Sequence, residues 1–258
     1  GAELVAVCGQ DADRTAAFAA RHGIANAYTD FAAMLAAGGL DAVIVSTPDD
    51  THKAITLAAI DSGLHFLCEK PLALNASDAE EMLRAAEAKR VKHMVLFTWR
   101  WQPPLQFLKA LLDEGTVGKP YRAQFTFLGG GGYDPSYQWR LDGSRANGVL
   151  GDLGTHLIDL GHWLIGDVAR VSAHTPAMIS RQGPDGKPLK AVNHTAHVIL
   201  EYMNGVQGTI DASTLTHLGE HGVHIGARID GDAGSIEVAY EPISPARQME
   251  VRIARAGQ

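Results

Sequence analysis

The stretch Val43–Pro71 constrains the fold of this chain most strongly, because it has the pattern of a strand, a helix and a second strand. The apolar run Val43–Val45 ends before Pro48, which cannot donate a hydrogen bond to a sheet. Apolar residues in Ile55–Ile60 recur at helical spacing, and Leu64–Cys68 is the next apolar run. Two strands joined by a helix predict a parallel β-α-β unit.

Polar residues follow both of these strands. Thr47 comes after the first strand, and Glu69, Lys70 and Pro71 come after the second. Ligands of open parallel sheets bind outside the carboxyl ends of the strands, so we expect Thr47 and Lys70 to lie where a cofactor would bind. A second interpretation stays open, because many strands end in a charged residue simply where they reach water.

A second polar pattern occurs in the segment 148–159, which has the sequence GVLGDLGTHLID. Asp152, His156 and Asp159 are spaced by four and three residues, which predicts that they share one face of a helix. A histidine one turn from a carboxylate suits general acid–base chemistry near neutral pH. The structural alternative is that Asp152 caps the helix and His156 is merely packed.

Together these motifs resemble the Gfo/Idh/MocA family of NAD(P)-dependent oxidoreductases, which includes inositol dehydrogenases and glucose-fructose oxidoreductases. The matching motifs are TPxxxH at 47–52, EKP at 69–71 and DxGxHxxD at 152–159, and the likeness extends over nearly the whole chain. The resemblance implies an α/β fold, with a Rossmann-type doubly wound parallel sheet in residues 1–98. It implies an α+β domain with a largely antiparallel open sheet in residues 99–258, for substrate binding and oligomerisation.

The resemblance also implies a reaction, namely hydride transfer between NAD or NADP and a secondary alcohol of a sugar, polyol or sugar derivative. The implied catalytic residues are Lys70, Asp152 and His156, with His156 as the general base and Lys70 as a cation beside the reacting oxygen. The implied cofactor-binding residues are Gly9, Thr47, Pro48, His52, Glu69 and Lys70. The implied substrate-binding residues are Asp159, Arg140 and Arg100.

Two other functions occur in proteins of this kind. One is glycoside hydrolysis through transient oxidation by bound NAD, which releases a sugar without net reduced cofactor. The other is a non-catalytic, cofactor-sensing regulator. Retention of Lys70, Asp152 and His156 together argues against the regulator, because a sensor does not need a proton-transfer set.

The amino end departs from the family pattern. The chain opens in the strand-like run Glu3–Cys8, and the earlier strand and its GxGxxG turn are absent. Gly9 stands where NAD-specific relatives have an acidic residue, so NADP is at least as expected as NAD. We expect that the sequence is truncated at both ends, since a closing strand and helix are also absent.

Composition excludes several other classes of protein. The 258 residues carry a formal net charge of −7 without a basic cluster, which argues against a nucleic-acid partner. No apolar run is long enough to span a membrane. Cys8 and Cys68 are predicted to be buried free thiols, which fits a cytoplasmic protein, although a lost export signal stays open. The resemblance implies a homodimer or homotetramer formed through the antiparallel sheet.

The periodicity also predicts individual elements. In the first half, helices are expected at 13–22, 31–37 and 77–90, the last with a Ser77–Glu80 capping box. In the second half, two hairpins are expected, and their strands are 195–202 with 206–213 and 223–230 with 235–240.

Two further features attract a functional interpretation. The glycine-rich run Gly129–Gly132 has no helix directly after it, so we expect a mobile loop over the substrate and not a phosphate cradle. His217, His221 and His224 suggest a metal ion, but intervening glycines make a regular helix of ligands improbable. We therefore predict no metal site.

Overall fold

The computed structural model of the protein describes residues 1–219, 222–240 and 249–257. The chain divides into two compact units, Gly1–Leu96 and Phe97–Gln258, close to the change of pattern predicted at Thr98. No described helix has both the length and the apolar character needed to cross a membrane.

The first unit alternates strands and helices throughout. In chain order its elements are β1 (Ala6–Cys8), α1 (Ala12–His22), β2 (Asn26–Tyr28), α2 (Phe31–Ala37), β3 (Ala42–Val45), α3 (His52–Asp61), β4 (His65–Cys68), α4 (Ala76–Lys89) and β5 (His93–Val95). Every strand pair is parallel, which confirms the predicted β-α-β pattern. The strands form two separate sheets, β1-β2 and β3-β4-β5.

The helices of this unit cover the buried side chains of β3 and β4. The core of the unit consists of Val43, Val45, Ala59, Ile60, Phe66, Cys68, Ala86 and Val91. Val43 and Val45 alternate with exposed neighbours along β3, so only one face of that strand is covered within this unit.

The predicted capping box of α4 is wrong. The helix begins at Ala76, one residue earlier than predicted, so Asn75 and not Ser77 takes the N-cap position. The Asp78 backbone N–H donates to Asn75 Oδ1 at 2.9 Å, and Asn75 Nδ2 donates to Asp78 Oδ2 at 2.7 Å. Asparagine is among the best N-cap residues, and Glu80 instead pairs with Arg84 one turn along.

The second unit is a sheet backed by helices. Its elements are α5 (Pro103–Asp113), β6 (Pro120–Gly129), a π-helical turn (Leu150–Gly154), α6 (Thr155–Leu164), β7 (Val168–His174), β8 (Thr195–Tyr202), β9 (Gln207–Ser213), β10 (Val223–Gly231), β11 (Gly234–Tyr240) and β12 (Met249–Arg255). The strand order is β12-β11-β10-β6-β9-β8-β7. The β6–β9 pair is parallel and the other pairs are antiparallel.

Both predicted hairpins are confirmed, since β8 pairs with β9 and β10 pairs with β11. The edge strands β7 and β12 were not predicted. From Ala169 onward every residue of β7 is exposed, so the strand lacks the apolar alternation from which a strand is recognised. Pairing with its neighbour alone defines it.

The core of the second unit lies between α5, α6 and one face of the sheet. Leu157 and Leu160 of α6 are fully buried against Phe125 and Ile210 of the sheet cluster. Each such leucine contributes about 1.5–3 kcal/mol through the apolar surface that it removes from water. This packing fixes α6, and with it the residues that α6 carries, on the sheet.

Candidate functional site

Two adjacent strand ends form the polar region of the first unit. β3 and β4 are neighbouring parallel strands, and the Glu69 N–H extends their ladder by donating to the Val45 carbonyl at 2.8 Å. Thr47 and Lys70 therefore follow adjacent strand ends, at the edge where open parallel sheets bind ligands. Both residues are half-buried.

His52 links these two strand ends from inside the unit. Its Nδ1 lies 2.8 Å from the Pro71 carbonyl oxygen and its Nε2 lies 2.8 Å from the Thr47 carbonyl oxygen. The side chain is fully buried, with 0% of its surface exposed. The predicted direct contact with a cofactor is therefore corrected to a positioning role, because the ring has no surface to offer a ligand.

The end of β1 presents backbone and no acidic side chain. Gly9 donates its N–H to the Tyr28 carbonyl at 3.1 Å. A Cβ at Gly9 would lie 2.6 Å from Thr15 Oγ1, so the threonine hydroxyl occupies the space that a side chain would need. This explains in physical terms why residue 9 is glycine.

The two cysteines are free thiols. Cys68 is buried at the end of β4, and this burial raises its pKa to about 11. Such a thiol stays protonated at neutral pH, so Cys68 is a core residue and not a nucleophile.

Asp152 in the second unit lies on a π-helical turn. The turn Leu150–Gly154 precedes α6, which begins at Thr155. The prediction of one regular helical face is wrong for Asp152, since a π turn contains an extra residue. Asp152 also makes no capping hydrogen bond at the start of α6. Single π turns in helices occur frequently at functional sites.

His156 lies in the first turn of α6 between aromatic side chains. Its ring stacks on Trp99, with centroids 4.6 Å apart and an interplanar angle of 8°. Phe97 presents an edge-on contact at 6.3 Å. His156 is half-buried, whereas Trp99 is only 8% exposed. The imidazole therefore has a defined plane and a partly apolar surrounding.

Asp159 and Arg100 bind each other. Arg100 Nε donates to Asp159 Oδ2 at 2.8 Å, and Arg100 Nη2 donates to Asp159 Oδ1 at 2.6 Å. The hydrogen bond from Asp159 raises the pKa of Arg100. Because both Asp159 oxygens are engaged and its side chain is 8% exposed, the predicted substrate contact by Asp159 is corrected to a supporting role.

Arg140 lies beside Asp152. Its Nε is 3.6 Å from Asp152 Oδ2, and its guanidinium group stacks 4.2 Å above the ring of Trp139. Arg140 is exposed, and Asp152 is half-buried. The sequence thus identified a charged pair in which the arginine is available to orient the carboxylate.

Sequence reasoning missed Asn193, which fastens the start of the π turn. Its Oδ1 accepts from Leu150 N–H at 2.8 Å, and its carbonyl accepts from Val149 N–H at 3.0 Å. Its Nδ2 donates to the Asn147 carbonyl at 2.9 Å. These bonds satisfy backbone groups that the start of a helix leaves unpaired. Gly148, with φ of +62° and no room for a Cβ beside Asn193, is the one local signal.

The glycine-rich segment after β6 is anchored, which differs from the predicted mobile loop. Gly132 N–H donates to the Thr214 carbonyl at 2.8 Å, and the Tyr133 hydroxyl donates to the Leu215 carbonyl at 2.8 Å. Arg181 donates to the Gly132 carbonyl and, at 2.6 Å, to the Asp134 carbonyl. These bonds hold the segment against the strand that follows β9 and against the β7–β8 connection.

The described residues contain no cluster of three side chains suited to hold a metal ion. His217 instead stacks on Tyr133, with ring centroids 4.3 Å apart. His221 lies outside the described residues, so the predicted absence of a metal at that triplet remains a prediction.

Comparison with known proteins places both units. Residues 1–97 match a family model described as an oxidoreductase family with an NAD-binding Rossmann fold. Residues 105–237 match a model described as a GFO/IDH/MocA C-terminal domain.

Individual relatives agree with these matches. D-apiose dehydrogenase of Rhizobium rhizogenes is 32% identical over 241 residues, which cover 93% of this chain and 67% of the relative. Levoglucosan dehydrogenase of Pseudarthrobacter phenanthrenivorans is 30% identical over 258 residues, which cover 92% of this chain and 64% of the relative. A solved levoglucosan dehydrogenase in complex with NADH has a TM-score of 0.86 at 27% identity, covering 98% of this chain and 71% of that chain. The chain thus spans about two thirds of the length of these relatives.

Proposed function

The chain belongs to the Gfo/Idh/MocA oxidoreductase family, and from this premise we propose that the protein transfers a hydride between NAD or NADP and a secondary alcohol of a sugar or polyol. The observation that carries the proposal is the junction of the π turn and α6, where a half-buried imidazole with a fixed ring plane follows a carboxylate. Similar proteins are named for the oxidation of apiose and levoglucosan.

The first unit has residues that fit a nicotinamide dinucleotide. Thr47, Pro48, Glu69 and Lys70 follow the ends of adjacent parallel strands, where such a cofactor binds. Gly9 leaves the end of β1 without a carboxylate that would repel a 2′-phosphate, which supports NADP as much as NAD. We expect these residues to hold the cofactor, while His52 fixes the loops that carry Thr47 and Pro71. A bound nicotinamide supplies the hydride acceptor for alcohol oxidation.

His156 takes the proton of the substrate hydroxyl in this proposal. A general base works best when its ordinary pKa lies near the working pH, and histidine meets that condition. Asp152, one turn earlier, accepts a hydrogen bond from a neighbouring substrate hydroxyl, and Arg140 orients the carboxylate. The Arg100–Asp159 pair supports the helix that carries His156.

Lys70 contributes a positive charge in the same proposal. Oxidation of an alcohol passes through a state in which its oxygen gains negative charge as the proton departs. A lysine ammonium group that hydrogen-bonds this oxygen lowers the barrier, because it stabilises charge that develops only in the transition state. Lys70 is thus the electrostatic partner of the proton transfer that His156 performs.

The exposed face of the second sheet supports assembly of the protein into a homodimer or homotetramer. Ile199 on β8 is 63% exposed there, between His197 and Glu201 on the same face. Replacement of Ile199 by Glu would place charge in such an interface. Light scattering of the separated protein should then show a smaller particle than the wild type, and an unchanged mass would argue against this face.

The test of the function uses the protein with NAD or NADP and a panel of aldoses, inositols and anhydrosugars. Formation of reduced nicotinamide is followed by absorbance, and released sugar is measured in the same reactions. We expect stoichiometric reduced cofactor and oxidised sugar with one substrate class. Released sugar without net reduced cofactor would instead show glycoside hydrolysis, and neither product would contradict both enzymatic functions.

A further inference from the structure

The indole of Trp99 has no role in the reaction described so far, yet it is the side chain most closely aligned with His156. The two rings are nearly parallel, at an interplanar angle of 8°, and their centroids are 4.6 Å apart. The flat face of the indole therefore lies over the imidazole, within the distance of about 6 Å at which a cation is attracted to an aromatic face.

Trp99 is held in this place by the core of the second unit. It lies in a 3-10 turn, Thr98–Trp101, and is 8% exposed. Phe127 of β6 contacts it with ring centroids 5.2 Å apart. A side chain so confined cannot turn away from the imidazole without opening the core, so the stack is built into the fold.

We propose that Trp99 is a positioning residue that fixes the plane of the His156 ring and stabilises its protonated form through the face of the indole. The inference rests on the proposed function, in which His156 receives the substrate proton and becomes a cation. The face of an indole carries negative electrostatic potential and attracts such a cation, and tryptophan does so more strongly than phenylalanine or tyrosine.

Other charged groups lie on the elements that pack against α6, and their pairs are separate from the stack. Asp152 on the π turn lies beside Arg140, and Arg100 on the 3-10 turn binds Asp159 of α6 itself. The charged groups of β6 and β9 are Arg122, which contacts Asp230, and Asp211, which contacts His197. All of these groups stay in place when Trp99 is replaced, so their influence on His156 cancels between variants.

The stack has two consequences for the base. A fixed ring plane keeps the accepting nitrogen aimed in one direction, which reduces the reorganisation needed for proton transfer. Stabilisation of the imidazolium also makes His156 a stronger base than the same ring beside an aliphatic side chain. Loss of the indole face should therefore lower the pKa of His156 and weaken the reaction at every pH.

The direct test is the titration of His156 by NMR in the protein without cofactor or substrate. The resonance is assigned with a His156→Gln variant. The pKa should fall by roughly 0.5 to 1 unit in Trp99→Leu and by less in Trp99→Phe. A multiply fluorinated tryptophan at position 99 keeps the shape of the indole but removes its negative face, so it should give a fall similar to that of Trp99→Leu.

Phe127→Leu is the matched control, because it removes the other aromatic neighbour of Trp99 and leaves the stack on His156. Its His156 titration should match the wild type. An unchanged His156 pKa with the fluorinated residue would overturn the electrostatic part of the proposal, whatever the activity. An unchanged pKa in all three Trp99 variants would overturn the proposal as a whole.

Kinetics separate this inference from the proposed function. The acidic limb of kcat/KM reports the base of the free enzyme, so it should move to lower pH in the order wild type, Trp99→Phe, Trp99→Leu. A shift in the NMR titration with no dehydrogenase activity in any variant would contradict the function and leave the stack established. Activity whose acidic limb does not move would contradict the assignment of the stack to the base.

Discussion

The two units hold their polar residues by different physical means. In the first unit, one buried histidine contacts the backbone of two strand-end loops, and residues 19 apart in sequence are thereby joined. In the second unit, the residues around His156 are held by side chains from distant segments, including an ion pair whose members are 59 residues apart. The first arrangement is local and depends on backbone geometry, whereas the second depends on tertiary packing.

This difference predicts different consequences of substitution. Removal of the buried histidine in the first unit should weaken the fold of that unit, because carbonyl oxygens lose their partners inside the core. Removal of a side chain around His156 should alter the reaction more than the fold, because these groups are half-buried and act on one ring. Each prediction below would strengthen or break this contrast.

The largest effect is expected for Lys70→Ala. Loss of a cation beside the reacting oxygen should lower kcat by roughly 10²–10³-fold, the usual cost of one transition-state hydrogen-bond donor. Cofactor affinity, measured by fluorescence titration with the reduced cofactor, should change much less. Lys92→Ala, at an exposed lysine of the same unit, should behave as the wild type. Equal turnover of the two variants would remove Lys70 from the mechanism.

His52→Leu should destabilise the first unit. Two carbonyl oxygens would lose their imidazole contacts in a fully buried place, at a cost of about 2–5 kcal/mol in the free energy of unfolding. Urea denaturation measures this cost. His65 is exposed on β4 and accepts one backbone N–H, so His65→Leu should cost less than about 1 kcal/mol. Equal stability of the two variants would contradict the positioning role of His52.

Asn193→Ala should affect the second unit in both stability and turnover. The variant loses the acceptor for Leu150 N–H and the donor to the Asn147 carbonyl, at a cost of about 1–2 kcal/mol. Urea denaturation and kcat are the two measurements. Asn193→Asp keeps the acceptor and should recover most of the stability. Full activity in Asn193→Ala would show that Asp152 and His156 keep their places without this bond.

The smallest effect separates the observed cap of α4 from the predicted one. Asn75→Ala should cost about 1 kcal/mol of stability, because it removes the N-cap acceptor. Ser77→Ala should stay within about 0.5 kcal/mol, because Ser77 lies inside the first turn. Thermal unfolding of both variants in parallel gives the comparison. The reverse order of the two costs would restore the capping box.

Local patterns sufficed for the parts of the molecule that are local. Apolar runs ending at Pro48 and Pro71 predicted β3, β4 and their adjacent polar ends, because strand period and proline chemistry operate within a few residues. The turns at Asn204-Gly205 and Asp232–Gly234 likewise predicted the two hairpins.

The remaining features depend on contacts that no short pattern encodes. The Trp99–His156 stack and the Asn193 bond, which spans 43 residues, arise only when separate elements pack together. The π turn at Leu150–Gly154 departs from the spacing rule that placed Asp152 on the face of His156. The edge strand β7 is exposed throughout most of its length, so its sequence has no core pattern to display.

The most direct measurement of the central claim compares His156→Gln with His162→Gln on the substrate that the wild type oxidises. Both histidines lie on α6, but His162 is exposed and its charged neighbour is Asp167, 3.4 Å away. We predict that His156→Gln lowers kcat for reduced-nicotinamide formation by roughly 10²–10⁴-fold with nearly unchanged cofactor affinity, while His162→Gln stays within a few-fold of the wild type. Similar turnover in the two variants would contradict the assignment of His156 as the base.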